Sequence, residues 1–253
     1  MKYLLLFGLG ACGFHGPNTA QPQDGHLDDS NPHVVHDASG DGVLPGPDAT
    51  IDGKIQGPFC STDTHLRACF PFEGTTDDNS SYHSQVNATG AIAYDPNGQD
   101  GMAAKLAAPD TILLSSTNAN HITVGALAIR AYVKIPTLPT GTARMGIIDN
   151  DAYRLFIQAN GTVRCAIGAD GSVADATSAV GFAANTWTRI ACLYDGLTLS
   201  IFFDYVPVGG QTSLGSIPAT TTQTAIGSHE PSGDNLVGLL DDVEIYDTTL
   251  VGP

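Results

Sequence analysis

The chain has 253 residues and a formal net charge of −16 at pH 7, with 26 acidic against 10 basic side chains. This charge would repel a phosphate backbone, so the composition excludes nucleic acid as a partner. A membrane-spanning helix needs about 20 consecutive apolar residues. No apolar stretch reaches that length without charges, glycine or proline, so we expect no transmembrane helix.

The first element is an export signal. Lys2 supplies one positive charge and an apolar run follows over residues 3–11, ending in small residues. This layout is typical of a signal peptide and is too short to cross a bilayer. We therefore predict that residues 1–11 are removed. An ordinary signal peptide followed by an incidental cysteine, or a misassigned start, remains an alternative.

The sequence LGAC at 9–12 resembles the lipobox of bacterial lipoproteins, in which cleavage precedes the cysteine and its sulfur receives a diacylglycerol. The chain has five cysteines, and lipidation of Cys12 would explain the odd number. Gly13 follows the cysteine. The lack of aspartate at this position resembles the pattern of lipoproteins that Gram-negative bacteria route to the outer membrane. The resemblance implies a lipid-anchored protein of the outer membrane or cell surface.

Residues 12–57 are dense in Gly, Pro, Asp, Asn and His and have no periodic apolar run. Such a segment cannot bury enough surface to offset its loss of conformational entropy, so we predict a disordered tether. Its histidines and the sequence DASGDG (37–42) do not form a metal motif. An EF-hand loop that starts at Asp37 would need a bidentate Glu at its twelfth position, where Asp48 stands.

Residues 58–253 are predicted to be one all-β domain. Short runs rich in β-branched and aromatic residues flank Asn-Gly and Asp-Gly pairs, which are strong hairpin signals. These runs are YRLFIQ (153–158) with TVRCAI (162–167), and WTRIACLY (187–194) with LTLSIFFDY (197–205). No stretch keeps a helical period over three turns. The pattern predicts a two-sheet antiparallel β-sandwich, or jelly roll.

The remaining four cysteines are predicted to form two disulfides. In their strands Cys165 and Cys192 each alternate with apolar residues, so both should face the core. If these strands pair, the two sulfurs can meet, and the bridge would stabilise the fold by about 3–4 kcal/mol on the loop-entropy model. Cys60 would then bond locally to Cys69. Zinc is the alternative, although the spacings are unsuitable and no Cys-x-x-Cys occurs.

Four segments resemble, in order, the LamG-like jelly-roll domains of the concanavalin A-like lectin/glucanase superfamily. The resemblance covers about residues 66–250, and three positions depart from the family pattern: Tyr205, Tyr132 and Glu73. The matching segments are CFPFEGTTDDNSS (69–81), HITVGALAIRAYVKI (121–135), NTWTRIACLYDGLTLSIFFDYVPVG (185–209) and AIGSHEPSGDNLVGLLDDVEIYDTTL (225–250).

The resemblance implies a structural calcium ion. In related folds a cation commonly ties the first strand to the last through an aspartate that corresponds to Asp241, and Asp78 is its expected companion. By alternation Asp241 shares a side with Val243 and Ile245, so its carboxylate should face the interior, where a charge needs a partner. Calcium takes six to eight oxygen ligands. The alternative is that Asp241 caps backbone amides and Asp78 forms an Asx turn.

A catalytic role is not expected. Glycoside hydrolysis needs two suitably spaced carboxylates, and glucanases of this superfamily resemble Glu-x-Asp-x-x-Glu at that site. The three glutamates, Glu73, Glu230 and Glu244, stand in no such pattern, and no Gly-x-Ser-x-Gly elbow is present.

The expected function is therefore binding, of carbohydrate or, as an alternative, of a surface protein in adhesion or surface assembly. Trp187 matches a structural position of the family and should pack. Aromatic residues that could be exposed to stack on sugars are Tyr82, Tyr153 and Phe202. The loop 228–235 offers the hydrogen-bonding side chains His229, Asp234 and Asn235.

Overall fold

The structure is a computed structural model that describes residue 60 and residues 63–115, 125–229 and 233–249. The predicted signal peptide 1–11, the lipidated Cys12 and the tether 12–57 lie outside the described residues. Within the described ranges, no helix is both long and apolar enough to cross a membrane. The domain boundary at residue 58 stays a prediction.

Fifteen β-strands and two short 3-10 turns (Ala159–Gly161 and Ala169–Gly171) make up the regular structure of the described residues. The strands are β1 (Leu66–Phe70), β2 (Val86–Thr89), β3 (Ala93–Asp95), β4 (Ala103–Leu106), β5 (Thr111–Leu114), β6 (Leu127–Lys134), β7 (Met145–Asp149), β8 (Tyr153–Ile157), β9 (Val163–Ile167), β10 (Ala174–Thr177), β11 (Thr188–Tyr194), β12 (Thr198–Phe203), β13 (Val206–Thr212), β14 (Thr224–Ile226) and β15 (Gly238–Tyr246).

The strands form two antiparallel sheets that face each other as a sandwich. The eight-stranded sheet has the order β13-β12-β11-β6-β15-β4-β3, with β1 also paired to β15. The seven-stranded sheet has the order β10-β9-β8-β7-β14-β5-β2. The all-β, two-sheet prediction is confirmed. The first strand lies beside the last, with Phe70 opposite Val243.

Alternation along the strands builds the core. In β12, Leu199, Ile201 and Phe203 are buried against the other sheet, while the residues between them point to the outer face, the side away from the core. The same rule buries Tyr153 completely, so its expected exposure is wrong. Tyr153 begins β8 on the inward side, and its ring fills the core.

Both predicted disulfides are present, Cys60 with Cys69 and Cys165 with Cys192. The strands of Cys165 and Cys192 do not pair, the arrangement considered for this bridge, because β9 and β11 belong to different sheets. Each cysteine faces the core from its own sheet. The bridge therefore ties the two sheets together across the interior, with the Cα atoms 6.4 Å apart.

A β-bulge in β15 changes the expected direction of Asp241. Leu240 and Val243 both enter the core although they are three positions apart, because Asp242 adopts a left-handed backbone (φ 48°) and breaks the alternation. Asp241 lies opposite Tyr132 of β6, on the outer face. Asp241 is buried, as predicted, but it lies under a loop and does not face the core.

Candidate functional site

The Asp241 carboxylate is closed under the loop that joins β3 to β4. Its Oδ2 accepts hydrogen bonds from the backbone N–H groups of Gln99 (2.7 Å) and Asp100 (3.3 Å). Its Oδ1 accepts one from the N–H of Asp242 at 2.9 Å. A Cβ at Gly98 would lie 2.8 Å from Oδ2, so the loop needs glycine to approach this closely. Asp241 is 0% exposed as a result.

Burial and neighbouring charge disfavour ionisation of both aspartates at the bulge. Burial raises the pKa of Asp241 to about 7, against the opposing effect of the three N–H donors. Burial, followed by repulsion from Asp241 and Asp100, raises the pKa of Asp242 to about 8. At neutral pH these two carboxyls therefore either keep a proton or need a compensating positive charge.

Glu73 holds the other end of the same loop. Both of its carboxylate oxygens lie 3.2 Å from the backbone nitrogen of Met102 and accept its N–H. A Cβ at Gly101 would come within 2.1 Å of Glu73 Oε1, so the carboxylate rests directly on this glycine. Glu73 also contributes to the raised pKa of Asp241 and Asp242. We call Glu73, Asp241 and Asp242 the acidic rim.

The sequence prediction missed Asp242. The signal for it was the adjacent pair of aspartates in the closing strand, which in regular alternation would place one carboxylate on each face. The bulge leaves both largely buried near the same loop.

Asp78, the other predicted metal ligand, caps backbone amides. Its Oδ1 accepts the N–H groups of Cys69 and Ser80, each at 2.9 Å, and its Oδ2 accepts that of Ser84 at 2.8 Å. Within the described ranges, no hydrogen bond or ion pair joins Asp78 to Asp241. Nor do any three His, Cys, Asp or Glu side chains there form a ready cluster for a metal ion. The role of Asp78 as a ligand stays a prediction.

His229 sits at the seven-stranded sheet beside a buried carboxylate. Its Nδ1 lies 2.5 Å from Oδ2 of Asp149, whose other oxygen accepts Nε–H of Arg154 at 3.0 Å. Asp149 is 0% exposed. The imidazole meets the edge of the Phe156 ring at 5.8 Å between centroids. His229 is thereby held by an acid and an aromatic ring.

Asp234, at the other end of this loop, is also held close to the Phe156 ring, through Arg144. Its Oδ2 accepts Nε–H of Arg144 at 2.6 Å, and the Arg144 guanidinium lies 4.3 Å over the Phe156 ring. Asn235 turns away and donates from Nδ2 to the Asp110 carbonyl at 3.1 Å. The structure thus brings His229 and Asp234 close together. All three residues, including Asn235, make contacts that hold the loop in place.

Arg144 and Asp149 escaped sequence analysis because they are 90 and 80 positions from their partners in the loop. The pairing of β14 with β7 and the hydrogen bond from the Gly146 N–H to the Asp234 carbonyl bring them close.

A shallow pocket of about 120 Å³ lies on the outer face of the eight-stranded sheet, where Phe202 is half-buried. Its lining residues are Leu193, Asp195, Thr198, Ser200, Phe202 and Thr249. Of the other aromatic candidates, Tyr82 is exposed and lies under the Arg67 guanidinium at 4.9 Å. Trp187 is half-buried, as its expected packing requires, with Lys134 Nζ 6.0 Å from its ring centre.

These features define a lectin-like jelly roll, a two-sheet antiparallel sandwich with an acidic rim and a polar outer face. A laminin G-type family model, described as the concanavalin A-like lectin/glucanases superfamily, matches residues 106–252. The chain belongs to this superfamily, as its motifs suggested.

Solved structures of similar fold include domain 4 of AbnA, a GH43 extracellular arabinanase from Geobacillus stearothermophilus, in complex with arabinotriose. It is 18% identical with a TM-score of 0.56, and the match covers 72% of this chain and 91% of that one. The binding domain of Paraclostridial Mosquitocidal Protein 1 is 13% identical with a TM-score of 0.60, over 73% and 49% of the two chains.

The binding domain of botulinum neurotoxin DC in complex with SialylT is 14% identical with a TM-score of 0.56, over 72% and 47% of the chains. The match thus spans about half the length of the toxin domains. At these identities the likeness establishes the fold alone. No curated protein sequence matches the chain.

Proposed function

We propose that this protein is a lipid-anchored surface protein whose LamG-like domain binds carbohydrate without cleaving it. The observation that carries the proposal is its membership of a lectin/glucanase superfamily, together with a similar domain that was solved in complex with arabinotriose. A binding role is also supported by several similar structures that are toxin binding domains.

The carboxylates support binding rather than hydrolysis. Glu244 is 9% exposed, accepts the Tyr246 hydroxyl at 2.8 Å and lies 3.4 Å from Arg130 Nη1. Both carboxylate oxygens of Glu244 are thus engaged by neighbouring side chains of the fold. Glu73 accepts a backbone N–H in the loop over Asp241. Neither glutamate has the paired arrangement across a cleft that glycoside hydrolysis requires.

The domain is further proposed to hold a structural calcium ion at the acidic rim. Calcium prefers carboxylate and carbonyl oxygens, and the raised pKa values of Asp241 and Asp242 indicate buried acids that lack a compensating charge. Asp241, like Asp78, already accepts three N–H groups, and the described residues hold no ready cluster of three acidic or histidine ligands, so the ion would take its further ligands from carbonyl oxygens or water. When bound, the ion would offset the charge of the acidic rim and fasten the β3–β4 loop to β15.

Attachment through Cys12 is supported by cysteine pairing. The two disulfides use four of the five cysteines, which leaves Cys12 as the single remaining thiol. A lipobox cysteine has this property, since its sulfur is consumed by the lipid. We therefore place the protein at the outer membrane or cell surface.

An array of polysaccharides, probed in calcium and again in chelator, tests the binding function. We expect retention of one glycan class, weakened by the chelator because the ion holds the loop at the rim. An array that retains no protein under either condition would contradict the glycan-binding proposal.

The second candidate is a protein-binding adhesion or surface-assembly domain. A similar structure, the botulinum neurotoxin DC binding domain, was solved in complex with rat synaptotagmin II, with 13% identity and a TM-score of 0.57. Retention on cells or on a purified surface protein, with none on glycans, would favour this candidate.

A further inference from the structure

The pocket beside Phe202 is built from two neighbouring strands of the eight-stranded sheet. Because Leu199, Ile201 and Phe203 face the core, alternation turns Thr198, Ser200 and Phe202 to the outer face. Leu193 of β11 lies directly opposite Ser200 of β12. The pocket is therefore set on paired strands within the sheet rather than on loops alone.

The part of the pocket that Leu193 forms is held in place by neighbouring apolar side chains. Leu193 packs against a small apolar cluster on the same outer face, formed by Leu66, Cys69, Ala128 and Tyr246. Cys69 in that cluster is bonded to Cys60. A site on a disulfide-supported cluster needs little ordering when a ligand binds, which reduces the entropic cost of binding.

The pocket lining combines one aromatic surface with hydrogen-bonding groups that the fold does not use. Asp195 Oδ1 accepts the N–H groups of Leu197 at 2.8 Å and Thr198 at 2.6 Å, but its Oδ2 has no hydrogen-bond partner among the described residues. The hydroxyls of Thr198, Ser200 and Thr249 likewise have none within those ranges. A hydroxyl can both donate and accept, and a carboxylate is a strong acceptor. Sugars present hydroxyls around an apolar ring face and match this lining.

Size and charge narrow the ligand class. At about 120 Å³ the pocket is smaller than the cavity of about 150 Å³ that encloses one benzene ring, so it can contact one face or edge of a single sugar ring and cannot take an extended chain. Among the described residues no cationic side chain lines it, Asp195 places a carboxylate in it, and the net charge of the chain is −16. A uronic or sialic acid would be repelled, whereas a neutral sugar would not.

We propose that this pocket is a subsite for one ring of a neutral glycan, with Phe202 stacking on the sugar face and Asp195 accepting its hydroxyls. The inference rests on the proposed glycan-binding function and locates it. The site is distinct from the loop 228–235, where the side chains of His229, Asp234 and Asn235 already make contacts within the fold.

The test compares variants of the full chain on the neutral polysaccharides laminarin, xyloglucan, galactomannan and arabinan, with alginate and polygalacturonate as anionic probes. We expect Phe202→Ala to raise the half-saturating concentration on the retained neutral glycan at least about tenfold, as loss of an anchoring aromatic does. Phe202→Leu keeps most of the apolar volume without the ring and should weaken binding similarly. Asp195→Asn should weaken it about tenfold, the lower end of the scale for one hydrogen bond to a charged group.

Val237→Ala is the matched control and should bind like the unaltered chain, because this exposed side chain precedes Gly238, which pairs with Leu106 of β4, several strands away from β12. Melting temperatures of all variants verify that they fold. Neutral-glycan binding that Phe202→Leu and Asp195→Asn leave unchanged would overturn the subsite while the glycan-binding function stands. Retention of the anionic probes alone would overturn its neutral-sugar specificity. An unaltered chain that retains no probe would overturn the glycan-binding function itself.

Discussion

At the scale of single residues, the two aspartates of the β15 bulge couple folding to protons. Their pKa values rise from the ordinary 3.8 to about 7 for Asp241 and about 8 for Asp242 in the folded chain. At pH values between the ordinary pKa of 3.8 and the raised pKa of each aspartate, the folded state binds more protons than the unfolded state. The free energy of unfolding therefore falls as pH rises through this window. Protonation below this window removes the unfavourable buried charge.

This linkage predicts that, in chelator, the melting temperature is higher at pH 5 than at pH 8. The double variant Asp241→Asn, Asp242→Asn should lose much of that difference, because amides do not titrate. Thermal denaturation at both pH values measures the effect. An equal pH response of the variant and the unaltered chain would contradict the linkage.

If calcium binds at the acidic rim, it should raise the melting temperature most at pH 8, where the two carboxyls are ionised. Metal affinity depends on deprotonated ligands, so the gain should shrink at pH 5. Calcium titrations followed by thermal denaturation measure this. The gain should vanish in Asp241→Asn, and a gain that persists there would place the ion elsewhere.

Asp78 offers a separate test of capping against metal binding. Asp78→Ala would leave three backbone N–H groups without their acceptor, at a cost of at least about 2 kcal/mol in the free energy of unfolding. The neighbouring exposed Asp77→Ala is the matched control and should cost less than about 0.5 kcal/mol. Urea denaturation measures both. If Asp78→Ala also abolished stabilisation by calcium, the residue would be a ligand after all.

At the scale of strands, the two disulfides should differ in their contribution. Cys165 and Cys192 are 27 positions apart and Cys60 and Cys69 only 9. The loop-entropy model gives about 3–4 kcal/mol for the longer loop and about 2–3 kcal/mol for the shorter. The pair Cys165→Ala, Cys192→Ala should therefore destabilise the domain more than Cys60→Ala, Cys69→Ala in urea denaturation. The reverse order would contradict this ranking.

Alternation in the sequence was enough to turn Cys165 of β9 and Cys192 of β11 toward the core, because side chains in a strand alternate between its two faces. It could not assign Cys165 and Cys192 to different sheets, since two core-facing cysteines look the same whether their strands pair or oppose. It failed at Asp241 because the bulge adds a residue, and nothing local marks Asp242 as left-handed.

The candidate sites could be predicted to different degrees, because contacts between residues close in sequence are easier to foresee than contacts set by long-range strand pairing. His229 and Asp234 are close in sequence and meet at Phe156, whereas Arg144 depends on long-range strand pairing. The pocket at Phe202 depends on the register of β11 with β12, which turn signals suggest but do not locate on the molecular surface.

At the scale of the whole molecule, cysteine chemistry tests the anchor. We expect the mature, unreduced and unfolded protein to show no free thiol, because two disulfides and one lipid thioether consume all five cysteines. Thiol titration with mass spectrometry measures this. Cys12→Ala should move the protein from the detergent phase to the aqueous phase, and one free thiol in an unacylated mature chain would contradict the anchor.

The bond between Cys60 and Cys69 also decides where mechanical load enters the domain when the chain is pulled from its N-terminal side. Tension that arrives at Cys60 crosses the disulfide to Cys69, near the end of β1, so the first residues of β1 carry little of the load. Without the bridge, the force would act first at the N-terminal end of β1 and separate this edge strand from β15 one residue pair at a time. With the bridge, the force acts first at Cys69, near the other end of β1. If the chain is anchored through Cys12 as proposed, a pull between the anchor and a bound ligand therefore does not begin at the N-terminal end of β1.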